Sequence, residues 1–479
     1  MDPQPGAVVA PTLVDPFAGR MSEPVGGPVG RHAIPHRWWV PVRVLLAMFA
    51  VVFALVVVQH QPCLKTNWAG DEARYAKMCY SDVPYLYTGR GYAEGLWPYA
   101  GTDGRYEVTE YPVGISYLAF VAAKITQLNP SGPPLEARYL GDAGQLWSLP
   151  GMAAEVNSYF LVTALLMCLF GLLATWFLAG VHRERPWDAL YFVASPCLLM
   201  TALINWDLMA VALVAGALWA WSRDRPLLAG VLIGLGVASK LYPLFLLGPI
   251  LIVAWRRRQL SSFGLAAGGA GVAWILANAP AWLTGFEQWK EFWSYNSNRG
   301  ADLGSLWLVL QHGGHTVSSG TINIWSWVLF GVVCASVAVL GLRVRHPPRV
   351  AQLAFLVVAG FLLVNKVYSP QYVLWLLPLA VLARPRWRDL LVWQAGELVY
   401  LVAVWMYLGG WLAVSVGDDV PAYDLAIWVR VAAQLYLVAV VVRDIVRPEH
   451  DPVRAERIIR SDRTLADGPE RSVRSGLSG

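Results

Sequence analysis

Long apolar runs separated by short basic loops dominate the chain, and one polar stretch interrupts them near the start. The first apolar run spans about 38 to 58. Further runs fall at about 111–128, 156–181, 187–204, 206–221, 226–239, 241–255, 263–283, 321–342, 350–366, 368–383, 389–411 and 423–443. Many are long enough for a spanning helix of about 20 residues. The pattern predicts an all-α polytopic membrane protein of about 12 transmembrane helices. The thirteen runs exceed by one the even number that keeps both tails on one side. Either 111–128 dips in without crossing, which is the preferred reading, or 187–221 is a single span kinked at Pro196.

Basic residues sit where orientation is set. Arg31, His32 and Arg37 precede the first run, and Arg183, Arg185, Arg223, Arg225, Arg256 to Arg258, Arg343 to Arg349 and Arg384 to Arg388 fall in later short loops. Placing them in the cytoplasm follows the positive-inside rule. The polar loops at 59–110, 284–320, 366–370 and 412–422 then face outward. Residues 1–36, rich in Pro and Gly, read as a disordered cytoplasmic tail; 37–445 form the membrane domain, and 446–479 form a second disordered tail. The first apolar run starts too late for a cleaved signal peptide.

Composition agrees with the membrane class. Hydrophobic residues make up 56% and charged residues only 14%, against roughly 25% charged in soluble domains. The net charge of +5 therefore reflects loop arginines, not a nucleic-acid surface. Of the five cysteines, Cys63 and Cys79 share the first polar loop. A disulfide between them requires that the loop face an oxidising compartment, and the sequence leaves the pairing open. No His or Cys cluster has metal-ligand spacing, and no Walker-type phosphate loop is present. The reading carries no metal and no cofactor.

Chemistry concentrates at the outward junctions. The first loop holds Asp71 in Gly70-Asp71-Glu72-Ala73-Arg74-Tyr75 and Asp82 in Ser81-Asp82-Val83-Pro84-Tyr85, and it closes on Glu110-Tyr111-Pro112. A general base for a hydroxyl must be a carboxylate or imidazole within hydrogen-bond reach. No histidine lies between His60 and His182, so an acid is the available choice. Asp82, with Glu94 and Glu110 further along the loop, supplies the carboxylate candidates. Lys240 follows a glycine-rich run and precedes Leu241-Tyr242-Pro243, where it either snorkels to the interface or holds an anion. Lys366 has the same ambiguity, with Tyr368 and Gln371 beside it as hydrogen-bonding partners for a phosphate or a sugar. Asp207 reads either as a helix cap or, with Asn205, as a polar contact at an outward junction. Polar residues at membrane depth persist where they line a water-filled cavity. The joint expectation is a cavity in the outer half of the bundle, roofed by 59–110 and 284–320.

These residues carry a resemblance. Ser81-Asp82-Val83-Pro84-Tyr85, Glu94-Gly95-Leu96-Trp97-Pro98-Tyr99, Glu110-Tyr111-Pro112 and the run ending Ser239-Lys240-Leu241-Tyr242-Pro243 occur in a particular order. That order resembles the actinobacterial polyprenyl-phosphate-mannose-dependent mannosyltransferases of the GT-C membrane glycosyltransferase superfamily. The resemblance covers about 40–445. It implies a large outward first loop and a plasma-membrane enzyme with its active site outside. The enzyme would move a sugar, mannose by implication, from a polyprenyl phosphate to a glycolipid or cell-wall glycan, with inversion. Asp82 would be the base and Lys240, Lys366 and Tyr368 the phosphate contacts; Tyr85, Glu110, Tyr111, Asn205, Asp207 and Gln371 would touch substrate. The chain departs from the family in having Asn205-Trp206-Asp207 where Gly-Gln-x-Asn is frequent. Its Gly70-Asp71-Glu72 also resembles the first-loop motif of the lipid A aminoarabinose and protein mannosyl branches, which is what makes Asp71 a rival. A pentosyl transferase of the same superfamily is one alternative. A transporter or flippase is another, although the internal repeats such proteins carry are not found here. A non-catalytic assembly subunit that kept the fold is the third. The sugar, acceptor, linkage and oligomeric state are not legible.

Overall fold

The computed structural model describes residues 15–23, 38–102, 104–412 and 421–454, with the side chains of 71–73 outside that set. The described residues are helical and contain no strand. Six helices are long and apolar enough to cross a membrane: Pro41–Gln59, Met152–Val181, Leu260–Thr284, Ser319–Arg343, Trp387–Leu408 and Pro421–Val446. Six more apolar helices run only 10 to 17 residues. At 1.5 Å per residue such helices cover about 15 to 25 Å, short of a hydrocarbon core of about 30 Å. Length and composition alone thus support six spans where the periodicity predicts about twelve.

Some of the apolar runs are broken in the structure. Residues 187–204 are neither one helix nor the first half of a kinked 187–221 span. They break into Pro186–Ala189, Leu190–Val193 and Pro196–Thr201, and Asp207–Ser222 then starts afresh. Pro196 opens the last of these pieces, where its missing N–H costs nothing, and the Ser195 hydroxyl caps it by accepting from Leu198 N–H. Helix Val113–Thr126 begins with Gly114 N–H donating to the Ala238 carbonyl at 2.6 Å. It ends with Lys124 and Gln127 bonded to the carbonyls of Gly95 and Tyr92 in the first loop. Its start is thus tied to the end of helix Pro226–Val237 and its finish to the first loop.

Small residues set the tightest packing. Helix Pro226–Val237 lies on Leu260–Thr284 so closely that a Cβ at Gly230 or Gly234 would come within 2.2 Å of the Ala266 or Ala270 carbonyl oxygen. Without a hydrophobic drive in lipid, close approach through small residues is what holds such helices together.

The basic clusters gather at one end of the bundle, some paired with acids and others, Arg223 and Arg256, bonded to backbone carbonyls. Arg384 binds Asp389 at 2.8 Å and Asp444 at 2.9 Å, Arg349 binds Asp451 at 2.8 Å, and Arg185 binds Asp188 at 2.8 Å. Two elements inside the stretches read as tails join this end. Asp15 caps helix Pro16–Ser22 and accepts from Trp387 N–H at 2.9 Å. Asp451 is fully buried beside Arg349. Ordered structure thus reaches past both limits of the 37–445 domain; the residues before 15 and after 454 lie outside the described set.

At the opposite end the 59–112 layer is stitched by the Cys63–Cys79 disulfide, the pairing the sequence leaves open. Glu155 of helix Met152–Val181 ties in this layer: it accepts from the Tyr87 hydroxyl and pairs at 2.7 Å with the buried Arg138, which also donates to the Ala93 carbonyl.

Candidate functional site

A cavity of about 650 Å³ opens at this second end, within the range of small-molecule sites. Its walls come from the first loop, the junctions at 204–205 and 240–241, helix Phe286–Asn298 and the 365–372 loop. Phe292, Trp293, Tyr295 and Asn296 of Phe286–Asn298 close one side, as expected of the 284–320 roof.

Asp82 precedes helix Val83–Gly89, whose Val-Pro start lets the chain turn without an unsatisfied donor. Its N–H donates to the Ile204 carbonyl at 2.9 Å, fixing the first loop to the Asn205 junction. Oδ1 accepts from the Tyr80 hydroxyl at 2.9 Å; Oδ2 accepts from Asn205 Nδ2 at 2.8 Å and from the Tyr111 hydroxyl at 3.3 Å. An ionised carboxylate offers about four acceptor positions. Three are taken and the carboxylate borders the cavity, leaving room for one incoming hydroxyl. Burial raises the Asp82 carboxyl above the usual aspartate range, opposed by the hydrogen bonds from Tyr80 and Asn205 and by the Lys240 charge. A carboxylate of raised basicity, held in one orientation, is what proton abstraction requires.

Lys240 also borders the cavity, 7% exposed. Its Nζ lies 3.5 Å from Asp207 Oδ1 and 4.9 Å from the centre of the Tyr111 ring. Asp207 is fully buried and stands behind the wall; Trp375 Nε1 donates to its Oδ1 at 2.7 Å, and its Oδ2 has no partner. The cap reading of Asp207 does not hold. It is the first residue of Asp207–Ser222, the cap position is Trp206, and no side chain caps that end. Asp207 is the counter-ion of Lys240.

Other expected residues divide between the cavity and its surroundings. Glu110, Tyr111, Asn205, Lys366 and Gln371 line the cavity. Glu110 is held by Arg90 at 3.1 Å. Lys366 Nζ donates to the Asn296 carbonyl and to Asn323 Oδ1. Burial, with the Arg299 charge second, pushes the Lys366 ammonium below its ordinary pKa. Tyr85 and Tyr368 stand outside the lining. The Tyr85 hydroxyl donates to the Trp68 carbonyl at 2.9 Å and its ring stacks on Trp147. Tyr368 is fully buried and donates to Glu397 at 2.8 Å. The side chain of Asp71 lies outside the described residues.

Several lining residues escape the sequence reading. Tyr80 supplies a bond to Asp82 from two positions upstream, and Arg299, paired with Asp302 at 2.5 Å, faces the cavity from a stretch with no motif. Tyr75, Tyr80 and Trp405 form an aromatic wall with centroid separations of 5.4 to 5.9 Å. Asn323, Tyr372 and Trp375 arrive from distant helices. Among the described residues no group of three or more His, Cys, Asp or Glu side chains is placed to hold a metal ion.

A polar, charged cavity thus lies at one end of an apolar helical bundle. Residues 146–365, a little under half of the chain, match the family model described as Glycosyltransferase family 87. The match indicates a membrane glycosyltransferase, which binds a sugar donor and an acceptor. The matched stretch contains Asn205, Asp207 and Lys240 and stops one residue short of Lys366; Asp82 lies outside it. No curated protein matches the chain.

Proposed function

We propose that the protein transfers a sugar, mannose, from a polyprenyl phosphate to a glycolipid or cell-wall glycan, inverting the anomeric carbon. One observation carries the reading: a basic carboxylate with one free acceptor position shares a cavity with cations, in a chain that matches a glycosyltransferase model. Asp82 takes the proton of the acceptor hydroxyl while its oxygen bonds to the anomeric carbon and the carbon–phosphate oxygen bond breaks. The departing phosphate gains negative charge, which a lysine of the cavity, Lys240 or Lys366, stabilises as a fixed cation in a low-dielectric site. The reaction needs no cofactor beyond the donor.

The reading places the cavity on the outer face of the plasma membrane, with the six short apolar helices completing about twelve spans. The disulfide supports that orientation, because cytosolic disulfides are rare. The test incubates membranes containing the protein with radiolabelled polyprenyl-phosphomannose and identifies the lipid or glycan that acquires label. Labelled product that depends on the protein and on Asp82 is expected. Transfer from a pentosyl donor alone would move the assignment to a pentosyl transferase. Movement of intact donor across the bilayer without transfer would make the protein a flippase.

A further inference from the structure

Two walls of the cavity carry cations, and their surroundings differ. Lys240 stands beside Asp207 at 3.5 Å and close enough to Asp82 to lower its pKa. One ammonium there faces two carboxylates, so a phosphate would join a region already anionic. Lys366 is otherwise placed. Among the described residues it has no carboxylate within ion-pair distance, and its two acceptors, the Asn296 carbonyl and Asn323 Oδ1, are neutral. An ammonium has three donors, so one remains. Arg299 borders the same wall, bonded to Asp302 through Nε at 2.7 Å.

That wall is built by two loops joined backbone to backbone. Asp302 N–H donates to the Lys366 carbonyl at 2.9 Å and Tyr368 N–H to the Leu303 carbonyl at 2.7 Å. Behind them lies a buried polar knot. Arg430, fully buried, donates to the Gly304 carbonyl and to Gln434 Oε1, both at 3.1 Å. Its guanidinium lies 3.7 Å from the centre of the Tyr368 ring, and the Tyr368 hydroxyl holds Glu397. The Tyr400 hydroxyl donates to the Tyr368 carbonyl at 2.6 Å, and the Tyr423 hydroxyl accepts from Gly304 N–H at 3.0 Å. Gly304 has φ +67°, and a Cβ there would meet the Tyr400 oxygen at 2.2 Å. Ionisable groups buried in a membrane bundle are costly and are kept where they serve function. None of Arg430, Glu397, Tyr368, Tyr400 and Tyr423 borders the cavity. What they hold does.

We propose that the phosphate of the donor binds at the Lys366–Arg299 wall, with Lys240 serving as counter-ion to Asp207, and that Arg430 is the positioning residue that keeps this wall in register. The proposal rests on the glycosyltransferase reading but is tested apart from it. Sugar-free polyprenyl phosphate is titrated against the purified full-length protein in lipid nanodiscs, and binding is compared across variants. A charge-assisted hydrogen bond lost from a buried site weakens binding by about ten- to a hundredfold. Lys366→Gln should therefore weaken binding at least five times more than Lys240→Gln. Arg430→Met and Gly304→Ala should each weaken it about tenfold, with Arg430→Lys recovering part. In transfer assays the same two variants should raise the donor KM more than the acceptor KM. Gly304→Ala removes no charge, so it keeps the test open if Arg430→Met does not fold.

A larger loss from Lys240→Gln than from Lys366→Gln overturns the phosphate assignment. Unchanged binding in both Arg430→Met and Gly304→Ala overturns the positioning role, as does an equal rise in both KM values. Transfer by a wild-type protein that does not bind polyprenyl phosphate sinks this inference and leaves a transferase. Binding without any transfer sinks the transferase reading and leaves the anion site.

Discussion

Both ends of the bundle carry charge, and they use it differently. At the arginine end guanidinium meets carboxylate: Arg384 with Asp389 and Asp444, Arg349 with Asp451, Arg185 with Asp188. At the cavity end the charges are unevenly matched. Asp82 keeps an acceptor position open, Asp207 Oδ2 and Gln371 Oε1 are buried without partners, and Lys366 bonds only neutral oxygens. Matched charges hold helices in register. Unmatched ones leave free energy available to a substrate, and they mark the site.

Asp82→Asn should break the working end most severely. We expect transfer to fall by roughly two to four orders of magnitude, the usual worth of a positioned base, with expression and melting temperature preserved. Normal turnover in Asp82→Asn together with loss in Asp71→Asn would move the base to Asp71.

Arg384→Met strikes the other end. It leaves Asp389 with Arg388 and the Tyr436 hydroxyl and Asp444 with Arg443, so the loss should fall below the roughly 3 to 5 kcal/mol that an uncompensated buried charge costs. A marked fall in thermal stability is expected, with KM values for donor and acceptor near wild type in the fraction that stays folded. A change in KM without loss of stability would show that the two ends are coupled. The Cys63→Ser, Cys79→Ser pair should cost about 3 kcal/mol or less through the lost loop closure, read as a lower melting temperature.

pH separates the two chemistries within the cavity. Asp82 must be ionised to act, and its pKa is raised by burial. Activity is lost as pH falls through that raised value, so the acid limb should lie above the ordinary aspartate range. Lys366 must be charged to hold an anion, and its pKa is lowered by burial and Arg299. Donor affinity is lost as pH rises through the lowered value, so the alkaline limb should lie below the ordinary lysine range. Lys366→Arg should push that limb upward, since guanidinium stays charged. An alkaline limb unmoved by Lys366→Arg would assign it elsewhere.

The smallest effect is positional. Single cysteines at Thr102 and Ser318 in a cysteine-free background should react with an impermeant thiol reagent on intact cells. Cysteines at Arg257 and Arg386 should react only after lysis. Labelling at Arg257 on intact cells would place the arginine end outside and reverse the comparison.

Hydrophobic periodicity and loop arginines were enough to expect an apolar helical bundle, charges gathered at its two ends and a cavity under the first loop, because burial in lipid leaves its mark on nearly every residue of a helix. Asn205 and Lys240 were legible because each interrupts an apolar pattern where interruption is costly, and Asp82 and Tyr111 because they belong to a polar loop set between apolar runs. Partnership was not legible. Asp207, read as either a cap or a polar contact for substrate, is a counter-ion, while Tyr368, read as a phosphate contact, is a strut. Tyr80, Arg299 and Asn323 carried no motif at all. Lys366 meets Asn323 across 43 residues of chain, and Arg430 meets Gly304 across 126. A hydrogen bond or ion pair depends on distance and direction in space, and linear spacing carries neither once helices pack. Tertiary structure alone therefore decided which charges neutralise each other and which are left for a substrate.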